Sequence, residues 1–579
     1  MTPTKHFKTD SKSMVYKKSS FFSDTHFVFL IGALIGATLF LYIFGIDKLD
    51  CTNISWLMPK DNGDLTQHYL GWIHYRKSSW HFPIGLIDGI VYPHLISVIF
   101  TDSIPLFAVF FKLLSPILPE NFQYFGLFGL ICYILQGGFS AIFVYHYTKK
   151  KAPSIISSAF FSGSLLMMWR MFYHTALAAH WIIIASLYLW FCVDKNLTAS
   201  KSAFKWSLLS IIALLTEAYF LPVVWACLLC DLFSQLLYKS WEKPLTVLVC
   251  SIVSTLITGW VIGLFYGNVS ASNPIGFGLI SFNLNGFINS QGYSILFPAL
   301  PLLPNGLQVE GLAYLGAGIF GLIAFNIFIY LRKIKSHAKR KINFRKTLPI
   351  IIFIAGLTLL SLSNTITLGS YSITIALPAT ITNLWSIFRS TARLIWPVYY
   401  LIMLFSCIGA INNVKSNELA IIVISSMLAL QLYDLSGAIT EKKANFDFRN
   451  SSTYVSELSD PEWEDIVADG YKHIMFYPSV ISLYNNQISY EFQAFALKNN
   501  LTLNCIYLSR NVINTVDSET YNYFSDLSNI ESNQNTFYVF LDKLPNQSYN
   551  LYFYKLNGLI IGTPRKLANR TSIPVDELN

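Results

Sequence analysis

LISVIFTDSIPLFAVFFKLLSPIL, residues 95 to 118, is apolar enough to pass for a membrane span, and the side assigned to every later loop depends on it. Thr101, Asp102, Pro105 and Lys112 argue against a crossing, because an unpaired charge in hydrocarbon is costly and proline removes a backbone donor. Without it, hydropathy leaves eleven spans, near 27–46, 122–147, 153–172, 178–193, 204–219, 220–237, 244–266, 310–331, 347–363, 394–411 and 418–434. Starting inside, the segments that then face the cytoplasm collect 22 of the 30 Lys and Arg before residue 435, among them Lys149, Lys150, Lys151 and eight between Arg332 and Lys346. A further crossing at 95–118 would turn all those later loops outward. We therefore read 95–118 as a helix or re-entrant pair at the outer interface, and residues 47–121 as one long external loop of the functional kind.

The rest of the composition agrees. Of 579 residues, 53% are hydrophobic, 16% aromatic and only 13% charged, the balance of a polytopic membrane protein. The expected fold class is an all-α membrane bundle, 27–434, behind a basic cytoplasmic tail, 1–26. A small extracytoplasmic α/β domain follows at 435–579. There, β-like runs at 472–478, 501–508, 535–543 and 549–562 alternate with helix-like stretches around 485–499 and 517–528. Residues 435–579 carry 11 basic and 16 acidic side chains, so the net +9 comes from the membrane part. It reports orientation, and no nucleic acid is implied. Among the eight cysteines there is no CxxH spacing, and the one CxxC spacing, Cys227–Cys230, lies inside an apolar span with no second pair to complete a metal site; a Cys51–Cys505 disulfide rests only on their shared external side. No Walker loop, Rossmann fingerprint or HExxH helix occurs, which excludes a nucleotide-driven pump and a zinc protease of those types.

Within the long loop, DNGDLTQHYLGWIHYRKSSW, residues 61 to 80, carries far more chemistry than a connector needs. Asp61 or Asp64 can serve as general base for an acceptor hydroxyl, or be a solvated loop charge. His68 follows Asp64 by one helical turn and Arg76 by three, on one helix face. His68 can orient the carboxylate or lie at headgroup level; Gln67 and Arg76 can hold substrate, while Trp72 and Trp80 read as interfacial anchors. Asp102 is either functional, with Lys112 or Arg170 as partner, or a helix cap before Pro105. Arg170, His174 and His180 frame the outer end of spans three and four; Glu217 and Tyr219 sit at the outer end of span five. Arg389 and Arg393, at i and i+4 in FRSTAR, suit a phosphate, which planar guanidiniums grip well. Lipid headgroup contact or an internal salt bridge is the plainer use of the same residues.

Three features then align. Asp64 lies in a long first external loop, YPHLISVIFTDSIPLFAVFFKLLSPILP supplies interfacial helices with a proline near a helix start, and the next span closes on Lys149, Lys150 and Lys151. This resembles the GT-C glycosyltransferases, polytopic enzymes that use polyprenyl-phosphate-linked sugars. DLTQHYLGW, TDSIPLFA and FRSTAR are also similar to a bacterial membrane-protein family of unknown function placed near that superfamily. The resemblance implies Asp64 as catalytic carboxylate, with Arg389 and Arg393 on the carrier phosphate; Arg170, one of the few outward basic residues, is a further candidate for that phosphate. The acidic pair is spaced D-N-G-D, which leaves Asp61 and Asp64 both open, and no second acidic motif follows span three. Neither metal nor cofactor is expected.

The expectation is a transferase of the bacterial plasma membrane, acting on the extracytoplasmic side. It would move a sugar from a polyprenyl-phosphate donor to a lipid, glycan or protein acceptor. A transporter or flippase of a lipid-linked saccharide is the alternative.

Overall fold

In the computed structural model the described residues are 11–58, 64–237, 241–267, 276–304, 306–334, 344–451, 456, 458, 461–477, 486–504, 508, 533–541, 551–568 and 570–574. Asp61, Cys505 and the helix-like stretch at 517–528 lie outside them.

The chain opens with α1 (Ser11–Phe44), which hands over to α2 (Asp64–Lys77) and a hairpin of β1 (Leu86–Val91) and β2 (His94–Ser97). Then come α3 (Pro105–Leu113), α4 (Phe125–Thr148), α5 (Lys151–Ser162), α6 (Leu165–Arg170), α7 (Trp181–Phe191), α8 (Ala199–Thr216), α9 (Phe220–Leu236) and α10 (Glu242–Ile262). After a long irregular segment follow α11 (Ala317–Ile334), α12 (Phe344–Leu362), a second hairpin of β3 (Thr365–Leu368) and β4 (Tyr371–Thr374), α13 (Ala379–Trp385), α14 (Trp396–Asn413) and α15 (Asn417–Asp434).

A helix lies on each of the apolar stretches read from hydropathy. Five are long and apolar enough to cross a membrane: Ser23–Phe44, Phe125–Thr148, Lys151–Arg170, Glu242–Ile262 and Thr391–Asn413. A sixth arises if α15 and its continuation, bent by 57°, count as one span. Residues 95–118 form no spanning helix: α3 has nine residues, about 14 Å, against the roughly 30 Å of a bilayer core.

Small residues let the first helices meet closely. Gly32 and Gly36 of α1 face Gly137 and Tyr133 of α4, where a Cβ added at Gly36 would lie 2.0 Å from the Tyr133 carbonyl oxygen. That is the close backbone approach for which glycine pairs are used between membrane helices.

Helix α2 corrects the picture of an exposed loop helix. Every residue from Leu65 to Tyr75 is buried. Trp72 is no interfacial anchor: it is fully buried, and its indole N–H donates to the Phe122 carbonyl at 2.9 Å. Trp80 is half exposed, 4.6 Å beneath the Lys112 ammonium.

The C-terminal part begins differently from the expectation, since residue 435 does not end the helical run. Polar α16 (Ser436–Ser451) continues from α15 across the bend. Asp434 fixes that bend by accepting from the Tyr314 hydroxyl at 2.8 Å and from the Ala317 backbone N–H at 2.9 Å, which supplies α11 with its cap. Then come α17 (Pro461–Ala468), β5 (His473–Tyr477), α18 (Asn486–Asn499), β6 (Thr502–Leu503), β7 (Thr536–Phe540), β8 (Tyr552–Leu556) and β9 (Leu559–Thr563). The strands form one sheet in the order β6-β5-β7-β9-β8, parallel for β6, β5 and β7 and antiparallel beyond. Trp463, Ile466, Phe492 and Phe495 from the two helices cover one face of it.

This domain packs on the long loop. The Tyr92 N–H, at the tip of the β1–β2 hairpin, donates to the Leu503 carbonyl at 2.8 Å, and its ring stacks on His473 at 4.2 Å. Lys77 donates to the Leu497 carbonyl at 3.0 Å.

Candidate functional site

Two short 3-10 turns and the start of α2 bring one charged cluster together. Arg170 is the last residue of α6, and the turn after it is closed by the His174 N–H on the Arg170 carbonyl at 3.0 Å, which sets His174 beside it. Glu310 sits in the turn Leu307–Gly311. That turn is pinned by Gln308, which accepts from the Asn283 amide and donates to the Thr367 hydroxyl, both at 2.9 Å. Arg393 sits in the turn Thr391–Ile395, held by the Ala392 N–H on the Ile280 carbonyl at 3.2 Å.

The resulting contacts form a chain. Asp64 Oδ2 lies 2.5 Å from His174 Nδ1, and His174 Nε2 lies 3.4 Å from Glu310 Oε1. Glu310 Oε2 in turn meets Arg170 at 2.8 Å and Arg393 at 3.0 Å. With a carboxylate against each ring nitrogen, His174 is held as an imidazolium. Burial opposes that charge, but the bonds to Asp64 and Glu310 outweigh it and raise its pKa above the ordinary 6.5. Burial would likewise raise both carboxyls; His174 holds Asp64 below its usual range, and Arg170 and Arg393 hold Glu310 well below its own. Asp64, as the first residue of α2, also faces the positive end of the helix dipole.

The cluster carries three cationic and two anionic groups, and its guanidiniums are not saturated. Arg170 Nε and one terminal nitrogen, and Arg393 Nε, are buried with no hydrogen-bond partner among the described residues. Their planes rest on aromatic rings instead, Arg170 on Trp169 at 4.3 Å and Arg393 on Tyr219 at 4.6 Å. Asp64 keeps 26% of its side-chain surface open, so solvent or a ligand can reach it.

Of the residues singled out from sequence, Asp64 meets His174 directly, Arg170 and Arg393 join them through Glu310, and Tyr219 and Glu217 flank Arg393. His68 is buried against Phe125, one turn below Asp64, and is no headgroup residue. Burial lowers its pKa to about 4, so it faces the cluster as a neutral ring. Gln67 is buried beside it in sequence with both amide atoms unpartnered.

Three residues are placed differently from the expectation. The Arg76 guanidinium makes five hydrogen bonds to Ser115, Leu118, Pro119 and Glu120, clasping the end of the loop. Arg389 and Arg393 are not an i, i+4 helical pair, because the chain bends between α13 and the Arg393 turn. Arg389 is left exposed, with no ion pair among the described residues. Asp102 caps nothing before Pro105; it takes a left-handed conformation at φ 53°, and Ile104 holds the capping position. Of the two partners considered for it, Lys112 lies over Tyr75 and Trp80, and Arg170 is held by Glu310. His180 is buried apart, 2.7 Å from the Tyr400 hydroxyl.

Sequence reading missed Glu310, the centre of the cluster. The signal was present: GLQVEGLAYLG places one carboxylate at the edge of an apolar stretch, where an ionisable side chain calls for a partner. Among the described residues no group of three or more His, Cys, Asp or Glu is set to hold a metal ion.

The arrangement defines a mostly helical chain, with several helices able to cross a membrane, that gathers buried charges around the first residue of α2. The chain belongs to the family described as a domain of unknown function, DUF6311, which matches residues 33–436; the C-terminal domain of that family matches residues 462–564. None of the curated proteins matches the chain.

Proposed function

We propose that the chain is an integral membrane glycosyltransferase with eleven spans, its amino terminus in the bacterial cytoplasm and its C-terminal domain outside. It moves a sugar from a polyprenyl-phosphate donor to a hydroxyl of a lipid, glycan or protein acceptor. The GT-C resemblance supplies the class of reaction, and one observation carries the reading. An accessible carboxylate, Asp64, shares a hydrogen-bonded chain with an imidazolium and two buried guanidiniums that keep unpartnered donors.

In this reading Asp64 accepts the proton of the acceptor hydroxyl as its oxygen bonds to the sugar's anomeric carbon. The bond from that carbon to the carrier phosphate breaks, and the configuration inverts. The phosphate oxygen gains the electron pair and is received by Arg393, Arg170 and His174, with Arg389 available to the rest of the phosphate. Neutral His68 and Gln67 line the base from within α2. Surface-glycan mass profiles of cells lacking the protein, and of cells carrying Asp64→Asn, test this. Loss of one sugar in both is expected. Loss of a whole polymer in the null alone points to export and overturns the assignment.

A further inference from the structure

A cleft of about 180 Å³ opens beside the charged cluster, walled by Trp169, Tyr173 and Tyr293 on one side and by α16 on the other. It adjoins the site: the ring of Tyr173, which lines it, lies 4.5 Å from that of His174, and Trp169, which also lines it, carries the Arg170 guanidinium over its ring at 4.3 Å. The Trp169 and Tyr173 rings stand 5.8 Å apart. Opposite them, Ala438, Glu441, Lys442 and Asn445 recur at helical spacing and present one face of α16 to the cleft.

That face sets a carboxylate, an ammonium and an amide beside Ala438 and Phe446, opposite a wall of aromatic rings with Leu165 and Met168. Polar groups and apolar surface therefore share the cleft about equally, which does not suit an acyl chain alone. A ligand with an apolar face and a rim of hydroxyls matches both sides: its C–H face lies on the rings and its hydroxyls bond to Glu441, Asn445 and the tyrosine hydroxyls. A volume of about 180 Å³, some six times the share of one liquid water, suits a single sugar ring.

The geometry points to this cleft as the acceptor subsite for a saccharide. Resting on the transferase reading above, this makes the acceptor a glycan, one hydroxyl of which reaches past Tyr173 to Asp64. The polar turn of α16 away from α15 is then what builds the acceptor wall.

Saturation-transfer NMR on the full chain in nanodiscs, with the methyl glycosides of glucose, galactose, mannose, rhamnose and N-acetylglucosamine as probes, tests the subsite. At least one glycoside should bind saturably at millimolar concentration. Glu441→Ala and Asn445→Ala lie on an exposed helix face and should keep the melting temperature while weakening binding three- to tenfold. Tyr293→Leu should weaken it more than tenfold. Absence of binding by any probe, binding indifferent to all three substitutions, or a dodecyl chain bound there in place of glycosides would each overturn the inference. Glycoside binding by a chain that transfers no sugar would retain the subsite and sink the transferase. Transfer that ignores the cleft substitutions would do the reverse.

Discussion

His174 Nδ1 stands 2.5 Å from Asp64 Oδ2, so the carboxylate that opens α2 is bound to the turn that follows α6. This contact joins the long loop between α1 and α4 to the helical bundle.

Asp64→Asn keeps the side chain's shape and removes its charge. Sugar transfer from a polyprenyl-phosphate donor should fall about 10²- to 10⁴-fold with the melting temperature changed by only a few degrees. Transfer at the parental rate would remove Asp64 from the mechanism.

Glu310→Gln leaves two buried guanidiniums facing each other without their carboxylate. A cost of about 3–5 kcal/mol is expected, read as a large drop in thermal stability in detergent. The double variant Glu310→Gln/Arg393→Gln should recover part of that loss, because the two residues act as one unit. Additive losses would show that Glu310 and Arg393 are not coupled.

The pH dependence follows from opposite shifts. His174 is raised above 6.5, so its contribution is complete below that value and is lost as pH rises through the raised folded value. Asp64 and Glu310 are depressed below 3.8 and 4.5, so theirs is complete above those values and is lost as pH falls through the depressed ones. The cluster should hold most firmly between these limits, and thermal melts across pH check it. In His174→Gln the alkaline decline should disappear; an unchanged alkaline limb would assign it to another group.

Arg76→Ala frees the end of the long loop and should destabilise by about 2 kcal/mol or more. Activity should fall only with the folded fraction. Loss of transfer in fully folded protein would return Arg76 to the substrate.

The helices were legible because hydropathy and helical spacing record burial directly. Excluding 95–118 was equally readable, since Asp102, Pro105 and Lys112 break the stretch. Asp64, His174, Arg170 and Arg393 could be named as ionisable groups at the ends of apolar runs. What escaped was pairing over distance. Glu310 acquires its role only when the turns at 307–311 and 391–395 pack together, and Arg76 finds its acceptors on a distant stretch of the same loop. The helical spacing assumed for Arg389 and Arg393 failed for a local reason. Thr391 hydrogen-bonds to the Ser361 and Ile280 carbonyls and Ser390 to the Tyr219 hydroxyl, and these bonds draw the chain out of a helix.

Tyr92 rests on strands made from the last quarter of the polypeptide. During synthesis the hairpin tip must therefore wait until the C-terminal sheet emerges to receive it, and a chain released early would carry its helices but leave that tip bare.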